Sequence, residues 1–470
     1  MKNKFYLFAL SAAALMSASC ANDVDLTSGT NGDGAEGTQQ PIGFQFLQKN
    51  GTRADEDPAL NTTNHYNFGM FAYKKDGAGD VEAVMDNYLV GYGDATNKKG
   101  YFMTEGNQTT WGASSNMTDN KSLWAYEKLG FKEYQHETNA GEEHYFTKDQ
   151  TAYMSNLENQ YLKYFDFSSS KTDFYAYAPY VNTTDADAAK RVSFDNTEKT
   201  MKFPAGVIKE CVYNDDKDVS LVDFMYARTQ VAKDDYKKDV QLQFKRLNSK
   251  INIQFYEQVA GYKVKLIDLK EDSYEGITMV PAKKSGTTYS YGTLYKTAGV
   301  STLKFTDDAN ANPTINLIGT GATQYASTEY VTFKVPTTSE LTEDKNTARK
   351  SGTTYYIIPF SNASATTADN SGLTFHVSYE LEAEDTHEII RVYDARVHVP
   401  EACCHWESNK LYTYTFKITK KSTGSTDSGA TVDPTAPGIG EQALYPIVFD
   451  NVTVADWEEG EADHDHTITE

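Results

Sequence analysis

Apolar side chains at every second position, in short runs, constrain this chain more than any other feature. Val240, Leu242 and Phe244 alternate with Gln241, Gln243 and Lys245, and Tyr262, Val264 and Leu266 alternate with Lys263 and Lys265. Successive side chains of an extended strand point to opposite faces, so each run reads as a strand with one face buried. Residues 373–381 (LTFHVSYEL), 388–399 (EIIRVYDARVHV) and 411–418 (LYTYTFKI) repeat the pattern, and in the last of these Tyr412, Tyr414, Phe416 and Ile418 share a face. Clusters of Gly, Asn, Asp and Ser separate the runs, which predicts a mainly β chain built of antiparallel sandwiches. Residues 153–165 (YMSNLENQYLKYF) carry a short helical pattern.

The 33 Tyr, 23 Phe and four Trp suit pleated sheets, where aromatic side chains pack across strands. A chain of 470 residues exceeds what one hydrophobic core usually supports, so two domains are expected. The polar stretch 232–239 (AKDDYKKD) puts their boundary near residue 235, giving an N-terminal sandwich over 41–235 and a C-terminal one over 236–457. Residues 91–170, with Trp111, Trp124 and little alternation, read as an elaboration of the first sandwich. Residues 420–440 (KKSTGSTDSGATVDPTAPGIG) read as a linker before a final strand, and 458–470 as a solvated acidic tail.

The first twenty residues, MKNKFYLFALSAAALMSASC, have the form of a bacterial lipoprotein signal. Lys2 and Lys4 precede an apolar core too short to span a bilayer, and small residues 17–19 precede Cys20, the expected lipidation site. An ordinary cleaved signal, with Cys20 incidental, is the alternative. Residues 21–40 contain almost nothing to bury and read as a flexible spacer. The balance of 44 basic and 66 acidic residues, a net charge of −22, disfavours nucleic acid and anionic membrane surfaces as partners.

No catalytic, metal or cofactor site is expected. A phosphate-cradling Gly-x-x-x-x-Gly-Lys-Ser/Thr loop is missing from the sequence, and His387-Glu388 lacks the second histidine of a zincin helix. In Cys403-Cys404-His405, strand neighbours would point to opposite faces, which favours a structural reading over a histidine-activated thiolate. His464-Asp465-His466 sits in the acidic tail and forms no preorganised metal site. Three thiols beyond Cys20, at Cys211, Cys403 and Cys404, do not make a disulfide framework.

The runs DFYAYAPY (173–180), LVDFMYART (221–229), VQLQFKRLNSKINIQF (240–255), WESNKLYTYTFKI (406–418) and IVFDNVTVADWEEG (447–460), in this order, resemble the fimbrillins, the type V pilus subunits of Bacteroidales. The resemblance spans about residues 41–460, leaving aside 91–170 and the tail. It implies two transthyretin-like sandwich domains, export through the periplasm as an outer-membrane lipoprotein, and removal of an N-terminal segment by an arginine-specific protease. A groove so opened is filled by a strand of a neighbouring subunit, the donor-strand form of β-augmentation. On this resemblance residues 41–48 (PIGFQFLQ), with Ile42, Phe44 and Phe46 on one face, are the removable strand, and cleavage falls between Arg53 and Ala54; the other reading makes 41–48 a permanent first strand and Arg53 one solvated loop arginine among many.

Residues 445–457 (YPIVFDNVTVADW) are the candidate donor, through Ile447, Phe449, Val452 and Val454; folding back into the chain's own second sandwich is the other reading. The apolar parity switches across Asp450-Asn451, so a continuous strand needs a bulge there. Expected partners are other fimbrial subunits in a homo- or heteropolymer, the outer membrane through the lipid, and a host or glycan receptor. The contrasting reading is a monomeric surface lipoprotein, or a pilus tip adhesin, that stacks glycan on the aromatic residues of 91–170.

Overall fold

The computed structural model describes residues 41–46, 67–75, 81–94, 99–100, 124–126, 163–181, 191–214, 224–267, 277–285, 288–291, 294–326, 329–336, 339–359, 373–399, 403–419, 447–456 and 466–468. Their regular structure consists of β-strands and two short 3-10 turns, so the β-sandwich class expected from the alternation holds. The apparent helix at 153–165 does not form in its described part: Tyr164 bridges Pro41 in extended pairing, and 153–162 lie outside the described residues.

The N-terminal part is built on a seven-stranded antiparallel sheet. Met225–Ala232, Lys171–Ala178, Asn67–Lys75 and Val81–Asp94 lie side by side at its centre. Lys171–Ala178 is nearly all buried, because both faces of this sheet are covered. Phe68, Met70, Ala72, Phe174, Ala176 and Ala178 face one core, while Phe71, Tyr175 and Tyr177 face another. A strand buried on both sides reads as a continuous apolar run rather than an alternating one, which explains the texture of FYAYA. Gly69 stands opposite Tyr177 on the neighbouring strand, and the tyrosine ring fills the space a side chain at 69 would need.

The C-terminal core lies between two further sheets. In one, Ser249–Gln258 is flanked by Lys410–Thr419 and Thr353–Ile357; in the other, Leu373–Ala383 is flanked by Ile389–Val399, Tyr262–Leu266 and Ile277–Ser285. Their alternate residues, Ile251, Ile253, Phe255, Phe375, Val377, Tyr379, Tyr414 and Phe416 among them, form one cluster. Two pairings depart from the antiparallel expectation: Ser249–Gln258 runs parallel to Lys410–Thr419, and Phe44–Phe46 runs parallel to Val240–Leu242.

Core packing and strand pairing run across residue 235. Val240, Leu242 and Phe244 pack in the N-terminal core. Thr200–Phe203 pairs with Ser301–Lys304, and Cys211–Asn214 joins the C-terminal sheet beside Thr353–Ile357. In the acidic tail, His466–Ile468 forms an edge strand on Ile447–Asp456. Edge amides there find carbonyl partners that the acidic composition gives no hint of.

The crossing segment carries a half-buried acid. Glu210 precedes Cys211–Asn214, and its Oε1 accepts a hydrogen bond from the Tyr325 hydroxyl at 2.9 Å. Burial raises its carboxyl above the ordinary range, only partly offset by Tyr325 and the charge of Lys296. Folded protein therefore binds a proton that unfolded chain releases, so this contribution to stability is present below the ordinary carboxyl pKa and lost as pH rises through the raised one. Glu210→Gln is expected to flatten that decline, read from denaturant midpoints across the acid-to-neutral range; an unchanged slope would exclude Glu210 as its source.

Candidate functional site

Residues 41–46 are held on both edges. On one side the Ile42 amide donates to the Lys163 carbonyl at 2.8 Å, and Pro41 bridges Tyr164; on the other the Val240 amide donates to the Gly43 carbonyl at 2.7 Å. Phe44, Gln45 and Phe46 stand opposite Val240, Gln241 and Leu242. The strand thus fills a slot between residues 163–164 and 240–242. Tyr126 closes it from the side, its hydroxyl donating to the Ile42 carbonyl at 2.9 Å.

The two described apolar side chains of this strand are core residues: Ile42 is 1% and Phe44 0% exposed. The Phe44 ring meets Phe68, Phe174 and Tyr126 edge-on, at centroid distances of 5.7, 6.2 and 5.8 Å. Such edge-to-face contacts place the positive rim of one ring on the negative face of another, adding about 0.5–1.5 kcal/mol per pair to the burial itself. Gln45 points outward; its Nε2 donates to Asp239 Oδ2 at 2.7 Å, and Gln241 Nε2 donates to Gln45 Oε1 at 3.2 Å.

The 163–167 wall of the slot is tied to the main sheet. Lys74 bridges Asp166 and Glu82, each at 2.8 Å. Burial alone would raise the Asp166 carboxyl, but hydrogen bonds from Lys74 and Ser168 outweigh it and hold the group at about 2. Behind them Phe165 stacks on Tyr236 at 4.5 Å. Tyr126 and Asp239 have no counterpart among the residues singled out from the sequence. One sits in the stretch set aside as an elaboration, the other among the polar residues of a connector, and their roles arise only from partners far along the chain.

Of the other expected positions, Cys20, Arg53, Ala54 and Trp111 lie outside the described residues. Ile447–Asp456 pairs antiparallel with Lys410–Thr419 of its own chain. Asn451 stands opposite Thr415 and Phe449 opposite Phe416, so Asp450 is the extra residue of a bulge where the apolar parity switches. Val452 is buried, and Val454 packs against the C-terminal core. Asp450 pairs with Lys345 at 2.7 Å and accepts from the Tyr256 hydroxyl at 3.2 Å.

Cys403 and Cys404 are both buried, and neither they nor the half-buried Cys211 is in a disulfide. Around them Trp406 Nε1 donates to the Tyr414 hydroxyl at 2.9 Å, which donates on to the Cys403 carbonyl at 2.7 Å. Among the described residues no group of three His, Cys, Asp or Glu side chains is placed to hold a metal ion. Among the same residues no helix is long and apolar enough to cross a membrane.

A family model described as fimbrillin-like matches residues 112–434, more than half of the chain. The chain belongs to the fimbrillin-like family. Solved structures similar to this fimbrillin-like chain include a fimbrial protein from Bacteroides vulgatus, at 15% identity, covering 90% of this chain and 100% of that one with a TM-score of 0.43. The fimbrial anchor protein Mfa2 from Porphyromonas gingivalis is similar at 9% identity, covering 89% of this chain and 98% of its own, with a TM-score of 0.26. No curated protein matches the chain.

Proposed function

We propose that this fimbrillin-like chain is a structural, non-catalytic subunit of a cell-surface fimbria, made as a lipoprotein acylated on Cys20 and matured by cleavage between Arg53 and Ala54. Residues 41–46 then act as a plug. Their departure opens the slot between 163–164 and 240–242, and a strand of a neighbouring subunit takes it by β-augmentation. Ile447, Phe449, Val452 and Val454 are the chain's own candidate donor residues.

The observation that supports this reading most is that the segment 41–46 is bonded on both edges and buried through Ile42 and Phe44, while Arg53 follows it in sequence before Asn67–Lys75, the next described strand. An emptied slot exposes apolar surface and unpaired backbone groups, and filling it removes both. Such a site is costly to leave open, which gives assembly its drive.

Mass spectrometry of the N-terminal peptide from surface material tests the maturation. Polymeric fractions are expected to begin at Ala54, whereas acylated Cys20 in every fraction would exclude cleavage for this subunit. The polymer joins it to other fimbrial subunits at the outer membrane, where adhesion to a host or glycan receptor is the expected use.

A further inference from the structure

We infer that the slot around residues 41–46 selects its incoming strand by charge, that Asp239 is the selecting residue, and that the occupant is a strand of a different subunit rather than the C-terminal strand of a second copy. The inference rests on the strand-exchange reading above and specifies the partner. Its chemistry would be aliphatic, any residue, Phe, then an amide or cationic side chain.

The pattern comes from what the slot already holds. Ile42 and Phe44, two positions apart, are the buried anchors, and Gln45 next to them turns outward. There the Gln45 amide nitrogen donates to Asp239 Oδ2 at 2.7 Å, while its oxygen accepts from Gln241. Gln241 also donates to the Asp239 backbone carbonyl at 3.2 Å, which fixes the geometry of the group. A carboxylate in place of Gln45 has no proton to give and would set a second negative charge against Asp239. A lysine or arginine there would replace an amide hydrogen bond by a charge-assisted one.

The chain's own C-terminal strand offers the same two anchors followed by the wrong charge. Ile447-Val448-Phe449 repeats the Ile-x-Phe spacing of Ile42-Gly43-Phe44, but the next residue is Asp450 instead of Gln45. At home Asp450 is matched, with Lys345 at 2.7 Å and the Tyr256 hydroxyl beside it. In the register of residues 42–45 it would face Asp239. The alternative register, Val452-x-Val454 followed by Ala455, avoids the carboxylate but sets a valine where the Phe44 ring meets three others, leaving a cavity. Neither register suits the slot, so specificity here is a matter of what is repelled as much as of what is attracted.

The test uses the full chain cut at Arg53 by an arginine-specific protease, so that residues 41–46 stay seated by contacts alone. Fluorescent peptides PIGFQFLQ, its Gln45→Lys and Gln45→Asp forms, and IVFDNVTV from residues 447–454 compete for the slot. The Gln and Lys peptides are expected to displace the plug, with the Asp form about fivefold weaker than the Gln form at low salt and the gap narrowing as salt rises. Asp239→Lys, at a half-exposed position, is expected to invert the order. Equal binding of all three peptides with no inversion would overturn the charge rule while leaving strand exchange standing. IVFDNVTV binding as well as PIGFQFLQ would overturn the exclusion of a second copy. If no peptide, the Gln form included, enters the slot, strand exchange itself fails and the selection rule with it.

Discussion

Replacing Phe44 by alanine is expected to cost about 3–5 kcal/mol, the range for truncating a fully buried aromatic side chain. The site has little freedom to collapse. Phe68 and Phe174 belong to central strands of the N-terminal sheet, and Tyr126 is tied through its hydroxyl to the Ile42 carbonyl. Rings held this way cannot follow the lost side chain inward, so the cavity persists and its lining loses contacts outright. In the uncut chain the loss is expected to show first as release of residues 41–46. Amide exchange at Ile42 should accelerate before the global denaturant midpoint falls. Phe44→Leu should lie between alanine and the parent. If Phe44→Ala left both the exchange and the midpoint unchanged, Phe44 would not be the anchor that the slot requires.

Tyr414→Phe is the second large effect, and it isolates hydrogen bonding from packing. The hydroxyl of Tyr414 accepts a hydrogen bond from the Trp406 indole N–H and donates one to the Cys403 carbonyl. Removing one oxygen therefore takes away the acceptor of a buried donor and the donor of a carbonyl at once, while the ring keeps its place against Phe375. Each buried polar group so deprived costs about 1–3 kcal/mol. The same burial raises the Tyr414 hydroxyl well above its usual pKa, so it stays a donor through ordinary pH. Trp406→Phe should cost through lost volume and leave the bond to Cys403 in place. Chemical denaturation of both variants, with near-ultraviolet circular dichroism for the tryptophan environment, makes the comparison. A Tyr414→Phe variant as stable as the parent would show that the relay carries no net free energy.

Strands were legible because their evidence is local. The alternation of Val240–Leu242, Tyr262–Leu266 and Lys410–Thr419 follows from one face meeting the core, and each appears in the structure with that face buried. The parity switch at Asp450 likewise needs only neighbouring residues to be seen, and it becomes the bulge of that strand. Partner choice is a different matter. That Thr200–Phe203 joins Ser301–Lys304, or that Ser249–Gln258 runs parallel to Lys410–Thr419, is settled by contacts between distant segments and leaves no mark on either run. The slot shows the same division. Ile42 and Phe44 announced themselves by alternation. Asp239 did not, because nothing about an aspartate in a polar connector signals a glutamine 194 residues before it.

The parallel pairing of Phe44–Phe46 with Val240–Leu242 also sets an order of events. Gln45 and its partner Gln241 are 196 positions apart, yet a ribosome releases the first long before the second. Until residues 240–242 emerge, the earliest-made strand of the described chain has no edge to join on that side, and closing so long a loop slows the final step. Strands 67–75, 81–94 and 171–178 can pair with one another in the meantime. The 240–242 edge that residues 44–46 join is therefore synthesised after every other described strand of the N-terminal sheet's centre, although residues 44–46 themselves precede all of them.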